Sequence, residues 1–473
     1  MDNALQLAAR VPVDQATLDL RLLQVADELR RGNERRAILL LRTPGGIIDS
    51  TFLAPFVEAW MWADKGDSKA LDALAQVQDT NALAGQRDEQ RALILLKLKR
   101  PTEALPFATL ALSRAGGRAD RLRLAFADGF RAAGDKAAAL TMLDGAGLTL
   151  AEARARMSAG KSLGQAVDSP SRAFSELLLG ITLALNKLQD KSLPISLAQI
   201  ARYANPDNPA GTLLLALLLD AGGRDGDALA LLRTTKPGQP FTAQAQDAEV
   251  RILTAMDRGD EALARARAFA AATPNADAFS RLGAALIERE AFGEAADAYA
   301  QALALVATGP ASDEAWALHL FHASALESAN RWDEAKREMA AAMALSPDNP
   351  LLLNFLGYGQ LERGENLDSA EAMVRQASAL RPDDASITDS LGWAQHKRGR
   401  TDEAIVTLQR AAEGDPAQAE IHEHLGDALY TAGRRIEARF AWRAALVTVD
   451  KDKARKRLDA KLAVGLTPAN ASP

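Results

Sequence analysis

The sequence predicts an all-α protein, an α-solenoid of stacked helical hairpins, and three observations carry that prediction. A fixed set of small and large residues returns at an interval of 34 over the C-terminal part of the chain. Apolar residues recur at helical spacing almost from end to end, punctuated by Gly and Pro. No stretch alternates apolar and polar residues with β-branched enrichment, so no strand is expected.

The repeat is clearest near the C-terminus. Leu391-Gly392 returns as Leu425-Gly426, Gly399 as Gly433, Ala404 as Ala438, Ala411 as Ala445 and Pro382 as Pro416, each 34 residues later. Leu356-Gly357, Gly364, Ala370 and Ala377 follow the same plan, with one extra residue around Asn366-Leu367. Ala323, Asn330, Ala335, Ala342 and Pro347 make the unit before. Leu282-Gly283, Ala295, Tyr299 and Ala302 make the one before that, followed by additional loop residues around Thr308-Gly309-Pro310. Small residues let the two helices of a hairpin, and the next hairpin, approach closely, while larger ones fill the space between. The glycine suits a left-handed helix C-cap and the proline ends the second helix. A single hairpin cannot bury its apolar face, so stacking is obligatory. Period and residue set together resemble the tetratricopeptide repeat (TPR), most strongly over residues 276–449; the resemblance implies a right-handed superhelix of TPR-like hairpins.

Upstream the pattern is weaker. Ala216, Gly223 and Ala228 keep the spacing, Leu179-Gly180 with Pro206 fits a further unit, and Ala262 to Pro274 spans the same distance as Ala404 to Pro416. Gly134 and Ala139, Ala92 and Ala104, and Gly32 and Ala37 point to degenerate hairpins back to the N-terminus. The expected organisation is therefore degenerate hairpins over 1–144, an irregular seam at 145–170, divergent hairpins over 171–275, and a well-formed array over 276–449. The stretch 145–170, broken by Gly145, Gly147, Gly160, Gly164 and Pro170, reads as a seam between two halves or as an irregular loop. A charged capping helix is expected over 450–466 and a disordered tail over 467–473.

The series Asn354-Phe355-Leu356-Gly357-Tyr358, Asp389-Ser390-Leu391-Gly392-Trp393, Glu420 to Asp427 and Gly433 to Trp442 resembles the C-terminal signature of a group of bacterial TPR proteins. That group is rich in Ala and Arg, and many of its members carry an export or lipoprotein leader and are placed in the cell envelope. The resemblance implies fold and class and no defined activity. Here Met1-Asp2-Asn3-Ala4-Leu5 begins acidic and reaches no apolar core before Arg10 and Pro12, so no export signal is read. The expectation is a cytoplasmic chain, or a periplasmic one whose leader has been removed.

Composition excludes several function classes. With no cysteine there is no disulfide framework, thiolate metal site or cysteine nucleophile. The 62 acidic and 56 basic side chains give a net charge of −6, which argues against a dedicated nucleic-acid surface. The apolar run Leu213 to Leu219 is far short of the ~18 residues that span a bilayer. No Gly-x-x-x-x-Gly-Lys-Ser/Thr loop is present, and Gly222-Gly223-Arg224-Asp225-Gly226 reads as a hairpin turn. His319 and His322 lie three apart but lack the carboxylate of a metal motif, His422 and His424 diverge on a helix, and no nucleophile elbow exists. No enzyme activity, metal or cofactor is expected.

What remains is the groove. In TPR arrays the first helix of each hairpin lines the concave face through positions near 2, 5, 9 and 12. In this register those positions are Asn354 and Tyr358, then Ser386, Asp389, Trp393 and His396, then Glu420, Glu423, Asp427 and Tyr430. The resemblance implies no carboxylate clamp, because apart from Asn354 the Lys/Arg/Asn set of such clamps is missing. Carboxylates beside aromatic rings instead suit a basic or apolar peptide segment. The reading is a non-enzymatic scaffold or adaptor for a protein partner. An envelope assembly or export factor is the alternative, and an enzyme-associated module a lesser one. The Ala-rich hairpins leave a homo-oligomer open.

Overall fold

A computed structural model describes residues 5–6, 11, 16–44, 50–77, 84–145, 147–187, 189–307, 315–450 and 452–472. Met1–Ala4, the loop around Thr308-Gly309-Pro310, Lys451 and Pro473 lie outside the described residues. Among the described residues there are 26 α-helices and no strand, and the chain divides into two compact units, Met1–Ala266 and Arg267–Pro473.

The first unit opens with four hairpins: α1 (Leu18–Arg30) with α2 (Glu34–Arg42), α3 (Ala54–Asp64) with α4 (Lys69–Ala75), α5 (Ala84–Lys97) with α6 (Pro101–Arg114), and α7 (Ala119–Ala132) with α8 (Lys136–Met142). Helix α9 (Leu148–Ser158) stands inside the stretch expected to be irregular. The next hairpin, α10 (Pro170–Leu185) with α11 (Ser192–Ala204), folds back: α10 packs along α1, α3 and α5, and α11 along α1. Stacking here is therefore not confined to sequence neighbours. Gly180 shows why a small residue was needed, since a Cβ there would lie 2.0 Å from the Gln86 side chain of α5. Charge locks the return in place. Glu176, fully buried on α10, accepts from Arg118 at 3.1 Å, Arg121 at 2.6 Å and Asn208 at 3.0 Å, while Arg118 also grips Glu89 with two bonds. Two cations meet two anions, so no buried charge is left unmatched. Helices α12 (Pro209–Ala221), α13 (Asp225–Leu232) and α14 (Thr242–Ala255) follow, and α15 (Gly259–Ala272) runs across the limit of the unit. Gly223, with φ +71°, turns the chain after α12, as a hairpin turn requires.

The second unit is regular. Five hairpins follow one another: α16 (Ala276–Ile287) with α17 (Phe292–Ala307), α18 (Ala315–Ser328) with α19 (Trp332–Leu345), α20 (Pro350–Arg363) with α21 (Leu367–Leu380), α22 (Ala385–Lys397) with α23 (Thr401–Gly414), and α24 (Ala419–Thr431) with α25 (Arg435–Thr448). Helix α26 (Asp452–Val464) closes the array against α25. Three of the first helices begin at side-chain caps, with Asn275 accepting from Ala278 N, Asn349 from Leu351 N and Asp384 from Ile387 N. Second helices begin on a recurring staple, Arg-x-x-acid: Arg331 to Glu334, Arg400 to Glu403 and Arg434 to Glu437. In four of the five hairpins a glycine of the first helix sits against the second, and Ala323 takes that position in α18. A Cβ on Gly392 would come within 2.7 Å of Leu408, and one on Gly426 within 2.3 Å of the Trp442 ring.

Candidate functional site: the inner face of the second unit

The first helices α20, α22 and α24 touch one another along one side, more closely than the second helices do. Tyr358 Oη on α20 donates to Glu420 on α24 at 3.2 Å, spanning the intervening α22. Ser386 Oγ donates to Gln418 at 3.1 Å, and Trp393 Nε1 to Glu362 at 2.7 Å. The expected groove positions are thus brought onto one face. They divide into a rim and a floor.

Asp389, Trp393, Glu423 and Asp427 form the floor and are buried within the chain itself. Trp393 is only 2% exposed and stacks on the fully buried His424 ring, centroids 4.1 Å apart. His424 Nδ1 lies 2.9 Å from Asp389. Burial opposes the imidazolium, but Asp389 outweighs it and raises the His424 pKa above its ordinary value. His396, half-buried beside Trp393 with centroids 5.1 Å apart, is pushed down by burial.

Glu423 and Asp427 are engaged by the chain's own C-terminus. Lys461 of α26, with no exposed surface, donates to Glu423 at 2.6 Å, to Asp427 at 2.8 Å and to Ser472 at 2.8 Å. Arg457, one turn earlier, adds two bonds of 2.7 Å to Glu423. Although burial works against it, this pair of cations holds the Glu423 carboxyl below its ordinary pKa. Asp427 accepts further from Trp442 Nε1 at 2.9 Å and from Ser472 N at 3.0 Å. The tail expected to be disordered is consequently ordered through Ser472, with Asn470 bridging Thr467 N and Gly465 O. Docking of the tail adds the Ser472 amide and hydroxyl to the donors that the buried Asp427 carboxylate already has from Lys461 and Trp442. Tyr430 is covered as well, lying against Trp442, Arg435 and Gly465.

Asn354, Tyr358, Ser386, His396 and Glu420 remain as the rim. Asn354 Oδ1 and His396 Nδ1 are buried atoms with no hydrogen-bond partner among the described residues. The rim therefore offers a phenol, a carboxylate, an imidazole and an unpaired amide oxygen. Sequence reasoning missed Glu362, His424, Arg457, Lys461 and Ser472. The spacing of Arg457 and Lys461, four apart on one helix face, was the one signal that could have paired them with the two acids Glu423 and Asp427, themselves four apart.

The other histidines have structural roles. His319 Nδ1 lies 2.7 Å from Glu338, and His422 Nε2 3.1 Å from the Pro416 carbonyl. Among the described residues no group of three or more His, Asp or Glu is placed to hold a metal ion, and no helix is long and apolar enough to cross a membrane.

A TPR repeat family model matches residues 392–433, which run from the middle of α22 through α23 to the end of α24. Residues 392–433 carry the TPR repeat. No curated protein matches the chain. Among solved structures, it is similar to the APC/C hetero-tetramer Cut9–Hcn1 at 17% identity and a TM-score of 0.44, covering 95% of this chain and 90% of that one. It is also similar to pilF of Pseudomonas aeruginosa, at 20% identity and a TM-score of 0.33 over 40% and 82% of the two chains. A tetratricopeptide repeat protein from Parabacteroides merdae gives 13% identity and a TM-score of 0.36 over 60% and 96%. At these values nothing passes from those proteins to this one. The TPR match, together with the chain's own hairpins, supports the role of a protein-interaction scaffold.

Proposed function

We propose that this chain is a non-enzymatic adaptor whose second unit holds a basic or apolar polypeptide segment of a partner protein. The segment lies over Asn354, Tyr358, Ser386, His396 and Glu420. The observation that carries the reading is Lys461: an amine on a helix, lodged between Glu423 and Asp427 on the same inner face. The face thus already takes a basic helical segment, in this case one from its own chain. The neighbouring Glu420 is exposed and held by a single tyrosine hydroxyl, so it is free to pair with a further Lys or Arg. Tyr358 supplies a ring beside it, and the orphaned Asn354 oxygen accepts a donor from the partner.

The test is affinity capture from native lysate with the wild type and with a Tyr358→Ala/Glu420→Lys variant. Glu420 is exposed and Tyr358 partly so, so the variant keeps the floor of the site intact. The reading expects a discrete partner lost from the variant and retained by an Asp402→Lys control on the outer face. A partner list identical for wild type and variant overturns it.

A further inference from the structure

The most exposed large apolar side chains of the second unit do not lie on its inner face. Ile436 (74% exposed), Phe440 (63%) and Val447 (82%) stand on α25, Val464 (71%) ends α26, and Val406 (68%) takes the position of Phe440 one repeat earlier, on α23. Together with Arg443, the three α25 residues recur at steps of four, three and four, which is a single helical stripe. The buried side of the same helix is Ala438, Ala441, Trp442 and Ala445, so the stripe points straight away from the core. The repeat supplies its own control. On α23 the equivalent positions are Asp402, Val406, Gln409 and Glu413, and on α21 they are Asp368, Ala372, Arg375 and Ala379. Only the last hairpin turns an aromatic and two β-branched residues outward where its predecessors keep mostly polar or small ones.

Charge singles out the same place. From Arg434 to Val464, setting aside Arg457 and Lys461, which pair inward with Glu423 and Asp427, stand eight Lys or Arg and four Asp or Glu, a net of +4 in a chain whose net is −6. Arg435, Arg439 and Arg443 are exposed along the stripe, and α26 adds Lys453, Arg455 and Lys456, also exposed. A second copy presenting the same ridge is opposed by like charge, so the counterpart is anionic. The apolar residues form a ridge without flanking walls. A ridge makes few contacts with a rigid surface, but it inserts readily into a fluid one.

We infer that the outer face of α25 docks on an anionic lipid surface, with Ile436, Phe440 and Val447 entering the headgroup boundary and the arginines paired with lipid phosphates. This surface lies opposite the inner face and does not depend on the adaptor reading.

The experiment is co-sedimentation of the full chain with vesicles of phosphatidylglycerol mixed with phosphatidylcholine, and with vesicles of phosphatidylcholine alone. The expected result is binding to the anionic vesicles only, weakened by salt. Replacing the three arginines (Arg435→Gln, Arg439→Gln, Arg443→Gln) lowers partitioning about a hundredfold. Phe440→Ser with Val447→Ser lowers it about tenfold or more. All five side chains are exposed, and unchanged circular dichroism and melting temperature show that each variant is folded. Absence of anionic-vesicle binding overturns the proposal, as does binding that both variants retain. Lipid-free oligomers of the wild type that dissociate in the Phe440→Ser/Val447→Ser variant also overturn it, because a protein contact then covers the ridge.

Discussion

Replacing Lys461 by Met removes the one cation shared by Glu423 and Asp427 while keeping a side chain of similar length in a fully buried slot. Breaking a buried ion pair from one side costs ~3–5 kcal/mol, because the abandoned charge has lost both water and partner. Here the remaining partners place the cost at the lower end. Glu423 keeps two bonds from Arg457, and Asp427 keeps Trp442 Nε1 and the Ser472 amide and hydroxyl. A loss of about 3 kcal/mol raises the opening constant of the docked C-terminus about a hundredfold, at 1.4 kcal/mol per factor of ten. Hydrogen exchange read by mass spectrometry over α26 and the tail measures this directly, with the first unit as internal reference. A triple variant, Lys461→Met/Glu423→Gln/Asp427→Asn, removes the stranded charges and is expected to recover much of the protection. If the single variant exchanges within about threefold of wild type over α26, the buried triad is not what holds the C-terminus, and the reasoning fails.

Three further outcomes follow from the same structure. His424, its pKa raised in the folded chain, adds stability that is full below its unfolded value of 6.5 and is lost as pH rises through the folded value. The stability gap between wild type and His424→Gln, followed by thermal melting, therefore narrows as pH rises above 6.5. Gly426→Ala drives a methyl against the Trp442 ring and costs about 1–3 kcal/mol in a melting experiment, whereas Gly293→Ala, with nothing within 4 Å, changes little. Glu176→Ala leaves Arg118 and Arg121 facing Glu89 alone; the expected loss is about 3–5 kcal/mol, with limited proteolysis opening first within residues 170–204.

Period and small-residue spacing were enough to read the hairpins of the second unit, because in a stacked array each contact joins residues a fixed distance apart. Gly426 against Trp442 and Gly392 against Leu408 are contacts of that kind. The fold-back of α10 escaped the pattern because Gly180 occupies a repeat position yet serves an approach to Gln86 of α5, far outside its own hairpin. A second signal was available and unread. The Arg-x-x-acid staple links Arg100 to Glu103, Arg224 to Asp227 and Arg258 to Glu261, marking second helices where the glycine and alanine pattern had faded. The groove was legible as a set of positions, and Tyr358 and Glu420 do meet on one face. What each position faces was not legible, since Lys461 and Ser472 reach Asp427 from more than thirty residues away. Trp393 reads as an anchor by residue type, and only its stacking on His424 reveals a floor.

We place partners on the inner face of the second unit. The most direct measurement is photo-crosslinking in native cells from a benzoylphenylalanine placed at Tyr358, compared with the same probe at the half-buried Thr407 of α23. A discrete crosslinked protein is expected from position 358, mapped to a Lys/Arg-rich or apolar segment, and none from position 407. The same protein captured equally from both positions, or from 407 alone, would contradict it.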